Sequence, residues 1–585
     1  MKRCCGKSFL ASILLVAAVV ASLRQPAASQ DWLRSTADVG RPGGQLAFAE
    51  RAEPKTLNPV TAVDRPSRDA IRCMSGDLIH INRYTRKTEP ALAKSWTISP
   101  DGKRFTLQLR RGIRFSDGAP FDADDVVFSF KVYLDEKVHS PQRDLLLVSG
   151  QPMTVEKLDA YSVRFTFAAP YSVAERVFDS LAMLPRHLLE KDYAEGKINQ
   201  AWNLNVTPDK IAGLGAFRLK QFVPGERLVL ERNPNYWKID AKGQKLPYLE
   251  DLVFLFVSSQ DAEVMRFLAG DTQIISGLSA ENFAVLSKDP RSSNYKLEDA
   301  GPGLEYNFLV FNLNDDTEGR LPQLARRQKW FNDRHFRQAV SAAIDRSAIV
   351  RLVYRGRGAA LASQVTPGNK LWINSALPVP QYSIANARQL LQSAGFSWNK
   401  DGNLLDKEGQ PVEFTILVSS SNAQRTQMAT LIQDDLKHLG MKSQVVALEF
   451  RAATDRVVQS HDYDTALLGI AGGDVDPTTS MSVLLSGGQT HFWHLGEKKP
   501  ATLWEDEIDQ LMQKQLVAMN YQQRKKLYDR VQEIIAEELP VICLASPHIL
   551  VGAKQDLGNF RPGIIENYVL WNADEFFWRI PAGNR

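Results

Sequence analysis

The chain is poor in the residues that mark many catalytic and metal-bound proteins. Its 585 residues hold four cysteines and nine histidines. No histidine pair forms the HExxH pattern of a zinc hydrolase, and no serine stands in a GxSxG elbow. Ser293-Asn294-Tyr295-Lys296 and Ser397-Trp398-Asn399-Lys400 satisfy SxxK, but neither has the companion motifs of that chemistry. A secreted hydrolase is therefore the disfavoured function class. Cys4 and Cys5 precede the first apolar run, which leaves Cys73 and Cys543 for the rest of the chain. Two thiols are not a disulfide framework; a bridge between them and two free buried thiols both remain open.

Long hydrophobic runs are equally scarce. Residues 8–23 form a charge-free, mostly apolar stretch, about 24 Å as a helix at about 1.5 Å per residue, and no other run is long and apolar enough to span. A bilayer core of about 30 Å asks for nearer 20 residues. Lys2, Arg3 and Lys7 precede the run, and Ala27-Ala28-Ser29 follow it. That order is expected of a secretory signal peptide, residues 1–29, cleaved near Ser29. A lipid anchor needs a cysteine just after the run and none stands there, so a released periplasmic protein is expected, not a lipoprotein.

Excess charge is missing as well. The formal net charge is +4, from 71 basic and 67 acidic residues. Lys2, Arg3, Lys7 and Arg24 account for all of it, so the rest of the chain balances. No nucleic-acid or anionic-membrane partner is implied, and no repeat or low-complexity linker interrupts the sequence.

What is present is alternation between strand and helix periods. Phe105, Leu107 and Leu109 alternate with polar residues, Ile113 and Phe115 continue the pattern, and Asp117-Gly118 turns the chain. Asp122 is placed as a helix N-cap with Asp125 in a capping-box position, ahead of the apolar stripe Val126, Val127, Phe130 and Leu134. A hairpin is expected over 216–232 about Pro224-Gly225. Further on, 413–418, 443–448 and 463–470 read as strands. Helices alternate with them, one on Met428, Leu431, Ile432, Leu436 and Leu439 closed by Gly440, the next over 450–460. That rhythm indicates βαβ units and a parallel sheet. Helices are also expected over 333–354, 384–394 and 521–538.

Four blocks then carry a family resemblance. The run Ala93-Lys94-Ser95-Trp96-Thr97-Ile98-Ser99-Pro100-Asp101-Gly102, continued by Arg111-Gly112-Ile113-Arg114-Phe115-Ser116-Asp117-Gly118 and Asp124-Asp125-Val126-Val127-Phe128-Ser129, is the first. Gly213-Leu214-Gly215-Ala216-Phe217 leading to Arg232-Asn233-Pro234-Asn235-Tyr236-Trp237 is the second. Phe331-Asn332-Asp333 through Ala343-Ile344-Asp345-Arg346, and Ala385-Asn386-Ala387-Arg388-Gln389-Leu390-Leu391 with Ala394-Gly395-Phe396, complete the set. In this order they resemble the family-5 extracellular solute-binding proteins, the dipeptide- and oligopeptide-binding components of ABC importers.

The resemblance implies an α/β, bilobal periplasmic-binding-protein-like fold of type II, hinged between two lobes, with an extra inserted subdomain. Lobe I would comprise 30–70, 213–305 and 547–585, the insert 71–212, and lobe II 306–546. A small solute, expected to be a peptide, would be captured by hinge closure and passed to the permease subunits of the importer. The protein would act as a monomer, without a cofactor and without catalysis. A sugar or a metal chelate is the alternative cargo on the same scaffold, and a peptide-holding chaperone or a sensor's ligand-binding partner would share the fold.

In peptide-binding relatives the loop after the strand equivalent to 463–470 carries an aspartate that pairs with the ligand's α-amino group. Anchoring the comparison on Asp476-Pro477 puts Gly473 at that position, with Asp474 next to it and Ile470 where a tryptophan is usual. Asp474 is the expected anchor, while Asp476 reads equally as an N-cap with Pro477 at the first helical position. Glu53 and Thr56 lie in a turn resembling the loop that runs along the ligand. Tyr306 and Asn307 fall near the lobe crossing, and Trp372 and Trp493 are candidate wall aromatics. His491, His494 and Glu497 have metal-ligand chemistry, but Gly487-Gly488 and Gly496 around them favour a surface or cleft-wall loop, and no metal is expected.

Overall fold

The near-continuous apolar run Val541–Lys554 forms one long strand, and the rest of the fold is arranged around it. The computed structural model describes residues 30–314, 321–497, 499–566 and 568–580. The expected export leader, 1–29, lies outside them. In chain order the main-sheet strands are β1 (Gln45–Glu50), β2 (Phe217–Val223), β3 (Arg227–Arg232), β4 (Asp251–Phe256), β5 (Ile274–Ile275), β6 (Tyr295–Pro302), β7 (Tyr306–Phe311), β8 (Glu413–Ser419), β9 (Lys442–Leu448), β10 (Thr465–Ile470) and β11 (Val541–Lys554). Their spatial order is β2-β3-β4-β1-β5-β11-β7-β10-β8-β9, with β6 and the short strand Gly358–Ala360 also bonded to β11.

The first half of β11 pairs antiparallel with β7 and its second half with β6. Both ladders lose register beside Ser546-Pro547, between Asn307 and Phe308 and between Asp299 and Pro302. A register shift bends and twists a strand, and proline removes a ladder donor. Two chain segments therefore cross side by side at an irregular point, which is the geometry of a hinge between two lobes.

Two separate cores confirm the bilobal build. One gathers Leu46, Phe105, Phe217 and Leu252, the other Phe308, Ile416, Ile432 and Ile542. In the second lobe β8 runs parallel to β9 and β10, as the alternating strand–helix pattern predicts. The insert contributes a four-stranded antiparallel sheet, in the order Ala93–Ile98, Arg104–Leu109, Ser162–Thr166, Thr154–Asp159. Helix α1 (Ala123–Leu134) covers it. Asp122 and Asp125 close the expected capping box. Phe130 and Phe165 lie 4.8 Å apart in this core, and Phe165 and Phe178 4.6 Å, the spacing of favourable aromatic pairs. Phe178 belongs to helix α2 (Ala174–Ser180).

Some expectations change. Residues 333–354 make two helices, Arg334–Ala343 and Arg346–Leu352, because Asp345 accepts the N–H of Ala348 and caps a new helix. The helix from 450 is α-helical only to Asp455, then forms a single π turn ending at left-handed His461. On α1 the stripe is Val126 and Phe130 with Ala123 and Tyr133, and Val127 and Leu134 are only half-buried. Cys73 and Cys543 are both free and buried, one in each core. Three further helices place the site: α3 (Ala423–Lys437), α4 (Leu503–Val517) and α5 (Tyr521–Glu538). The insert touches the second lobe directly, Ser172 Oγ donating to the Leu516 carbonyl at 2.7 Å and Arg86 to that of Gly368 at 3.3 Å. Among the described residues, no helix is long and apolar enough to cross a membrane.

Candidate functional site

β10 ends at Ile470, opposite Tyr306 of β7, and releases the loop 471–476 at the edge of the second lobe. Two glycines shape that loop differently. A Cβ on Gly472 would lie 2.3 Å from Leu304 Cβ and 2.8 Å from its carbonyl, so only glycine lets the loop lie against the lobe crossing. A Cβ on Gly473 would meet nothing within 4 Å. Gly473 instead lines a cavity of about 60 Å³ together with Tyr306, Gln364, Asn369, Asp474 and Tyr528.

The charges around this cavity come from three elements. Arg176 of α2 donates through Nη1 to both Asp474 oxygens at 2.6 Å, and its Nε lies 3.6 Å from Asp476. Arg524 of α5 grips Asp476 in a fork, at 3.0 and 2.9 Å. Asp476 also caps the short helical turn Pro477–Ser480 by accepting the N–H of Thr478. Burial pushes the Asp476 carboxyl up, but the Arg524 charge and its hydrogen bonds more than offset this and hold it below the usual range. Burial likewise opposes the charge of Arg176, and Asp474 and Asp476 outweigh it. The result is a clasp: a cation from the insert closed onto two carboxylates of the second lobe.

The structure brings Gly473, Asp474, Asp476 and Tyr306 to this cavity. Trp372 sits one layer behind, its buried ring 4.9 Å from the Arg524 guanidinium and in edge contact with Tyr521 and Tyr528. It supports the arginine that holds Asp476 and is not a free wall. Asn307 is buried at the lobe crossing, accepting from Arg425 Nε at 2.7 Å and donating to the Tyr354 hydroxyl at 3.0 Å.

Three candidates lie elsewhere. Glu53 is exposed and accepts the Gly225 N–H, stapling the β2–β3 turn. Thr56 accepts from the Asn58 N–H in ordinary turn chemistry. Trp493 is fully buried, its indole N–H donating to Glu505, so it walls no cleft. The loop carrying it is interior, contrary to the surface or cleft-wall reading: His491 and His494 are buried. Its chain is sewn to the end of β7 by the Leu313 N–H to the Trp493 carbonyl, which the glycines around it concealed.

Arg176 and Arg524 escaped sequence reasoning. Each is one arginine on an ordinary helix, and nothing local distinguishes it from a solvated neighbour. A larger cavity of about 340 Å³ opens between the first lobe and the insert, lined by Arg34, Asp77, Arg83, Lys238, Trp571 and Asp574. Two of its cations are already paired, Lys238 with Asp574 at 2.9 Å and Arg83 with Asp179 at 2.7 Å. No second-lobe residue lines it, so lobe closure would not act on a ligand there.

The chain is similar to known binding proteins along most of its length. The chain is 28% identical over 526 residues to the "Probable ABC transporter-binding protein" of Deinococcus radiodurans, covering 86% of this chain and 87% of the other. It is 24% identical to "Di/tripeptide-binding protein 1" of Pseudomonas aeruginosa, covering 95% and 96%. The fold matches the oligopeptide-binding protein AppA of Bacillus subtilis in complex with a nonapeptide, with a TM-score of 0.70, 24% identity and coverage of 92% and 100%. Residues 87–492 match the bacterial extracellular solute-binding proteins, family 5 Middle. With two lobes, an irregular double crossing and a charged clasp between insert and second lobe, the chain belongs to the family-5 extracellular solute-binding proteins.

Proposed function

We propose that this protein is the peptide-capturing component of an ABC importer, binding its cargo between the lobes at loop 471–476 and presenting the closed form to the permease. The observation that carries the reading is the Arg176–Asp474 contact. It spans insert and second lobe beside the loop where the family resemblance places the amine-binding aspartate. The guanidinium occupies the side of Asp474 that a ligand ammonium would take. A cavity of about 60 Å³ is far below the roughly 300–1,000 Å³ of ordinary ligand pockets, so cargo enters only after Arg176 withdraws and the lobes part. Closure around cargo then depends on contacts made only in the closed state.

The relative named for di- and tripeptides and the fold match holding a nonapeptide support peptide as the cargo class. We place the lobe borders at the two crossings beside Glu305-Tyr306 and Ser546-Pro547. We also propose that the leader is removed near Ser29, that the protein is not lipidated, and that it works as a monomer. The experiment is a thermal-shift screen with a peptide library, followed by Asp474→Asn. A ligand at about 100 times its Kd adds about 2.7 kcal/mol, a clear rise in Tm. Asp474→Asn weakens peptides with a free amine and spares N-acetylated ones. A library that never moves Tm refutes peptide cargo, and equal losses for free and blocked peptides refute the amine anchor.

A further inference from the structure

The interior loop before α4 and the first turn of that helix gather four ligating side chains that the cleft does not use. His491, His494, Glu497 and Glu505 each offer an atom within 4.8 Å of the others, and His491 and Glu505 are almost wholly buried. We propose that these four residues form a structural site for a divalent first-row cation, Zn²⁺ by its ligand chemistry.

The decisive atom is His491 Nε2. His491 Nδ1 lies 3.0 Å from the Val483 carbonyl, and a carbonyl only accepts, so Nδ1 carries the proton. In the neutral ring Nε2 then presents a lone pair. It makes no aligned hydrogen bond, and it faces the Glu505 carboxylate, 3.5 Å from Oε1. A cation between the two atoms, either a metal ion or a second ring proton, would satisfy both, and titration with the metal distinguishes them. An imidazole tied to a backbone carbonyl through its other nitrogen is also the usual outer support of a metal-ligating histidine.

The remaining ligands are similarly fixed. Glu505 Oε2 accepts the N–H and hydroxyl of Thr502 in the capping box of α4, which turns Oε1 toward the histidines. Trp493 Nε1 donates to the same Oε1 at 3.0 Å. His494 Nδ1 lies 2.6 Å from Glu505 Oε1 and 3.7 Å from Glu497 Oε1. Tetrahedral Zn–N and Zn–O bonds of about 2.0–2.2 Å set ligand atoms about 3.3–3.5 Å apart. The 3.5 and 3.7 Å edges already fit, and the 2.6 Å edge must widen as Zn²⁺ displaces the proton that His494 and Glu505 share. Two imidazoles and two carboxylates give a neutral complex. The other His–carboxylate cluster, Asp77, His80 and Asp179, lacks this property, because Arg83 already satisfies Asp179 in a fork.

The test uses the full-length exported chain, stripped with EDTA and titrated with Zn²⁺ and Co²⁺. The expected result is one Zn²⁺ per chain by elemental analysis, a higher Tm on adding Zn²⁺, and four-coordinate Co²⁺ bands. His491→Gln and His494→Gln should weaken Zn²⁺ by more than about 100-fold while the peptide thermal shift persists, which separates this site from the cleft. A stripped, folded chain that takes up no stoichiometric Zn²⁺ or Co²⁺ overturns the proposal, as do histidine variants that bind like the parent. If those variants fail to fold, Glu497→Gln on the half-buried rim replaces them, and an unchanged Zn²⁺ affinity there also overturns it.

Discussion

Replacing Arg176 by alanine isolates what the clasp does. The guanidinium makes two 2.6 Å contacts to Asp474 and a looser one to Asp476, with about a fifth of each side chain in the Arg176–Asp474 pair exposed. A hydrogen bond between charged groups contributes about 1.5–3 kcal/mol, and partial exposure discounts this toward about 1–2 kcal/mol. In the closed ligand-free form that energy favours closure; on cargo binding it must be surrendered, because an incoming ammonium competes for the same carboxylate. Arg176→Ala therefore opens the ligand-free protein, read as a larger radius of gyration in small-angle scattering. It also raises affinity for free-amine peptides by about 5–30-fold, the factor that 1–2 kcal/mol represents. N-acetylated peptides, which do not compete for Asp474, change little. Calorimetry with matched free and acetylated peptides reads the difference directly. Equal changes in the two, or a uniform loss, would refute competition and make Arg176 an ordinary interlobe strut.

Arg524→Met strips the fork from Asp476 and leaves that buried carboxylate only its Thr478 hydrogen bonds and the 3.6 Å approach of Arg176. The cost is up to about 3–5 kcal/mol in urea unfolding, and a loss under about 1 kcal/mol contradicts the buried-pair reading. Glu263 is buried, and burial raises its carboxyl to about 7 although Arg51 and Arg65 pull it down. Because the folded value exceeds the unfolded value of about 4.3, its stabilising contribution is complete at low pH and is lost as pH rises toward 7. Glu263→Gln should thus match the parent near pH 4 and be more stable at pH 8, by at most about 4 kcal/mol; identical pH profiles refute it. Gly472→Ala drives a methyl into Leu304 and should cost about 1–3 kcal/mol with weakened binding, whereas Gly473→Ala enters open space and leaves Tm unchanged. Similar effects at both glycines would show that the loop does not lie against the crossing.

Local signals carried the elements well. The Asp122 capping box, the Pro224-Gly225 hairpin and the βαβ rhythm from 413 to 470 depend on residues a few positions apart, so period and cap chemistry reveal them. Loop 471–476 was legible as the candidate site only through the family resemblance, which aligned Gly473 and Asp474 by way of Asp476-Pro477. Its partners were not. Arg176 lies 298 residues from Asp474 and Arg524 lies 48 from Asp476, and no local pattern encodes either meeting. Burial misled twice in the same direction: Trp372 and Trp493 looked like wall aromatics and are interior, and the histidine loop looked exposed because glycine signals irregularity, not depth.

By itself the sequence determined the α/β class, the two-lobed family resemblance and the loop at which cargo is expected, because these follow from periodicity and from blocks of adjacent residues. Only the tertiary structure decided that Asp474 is held by a cation of the protein's own, that Asp476 belongs to a buried fork over Trp372, and that two histidines and two carboxylates converge out of water. Each of these is a contact between segments far apart in the chain, fixed by which faces pack together and by the low dielectric that packing creates.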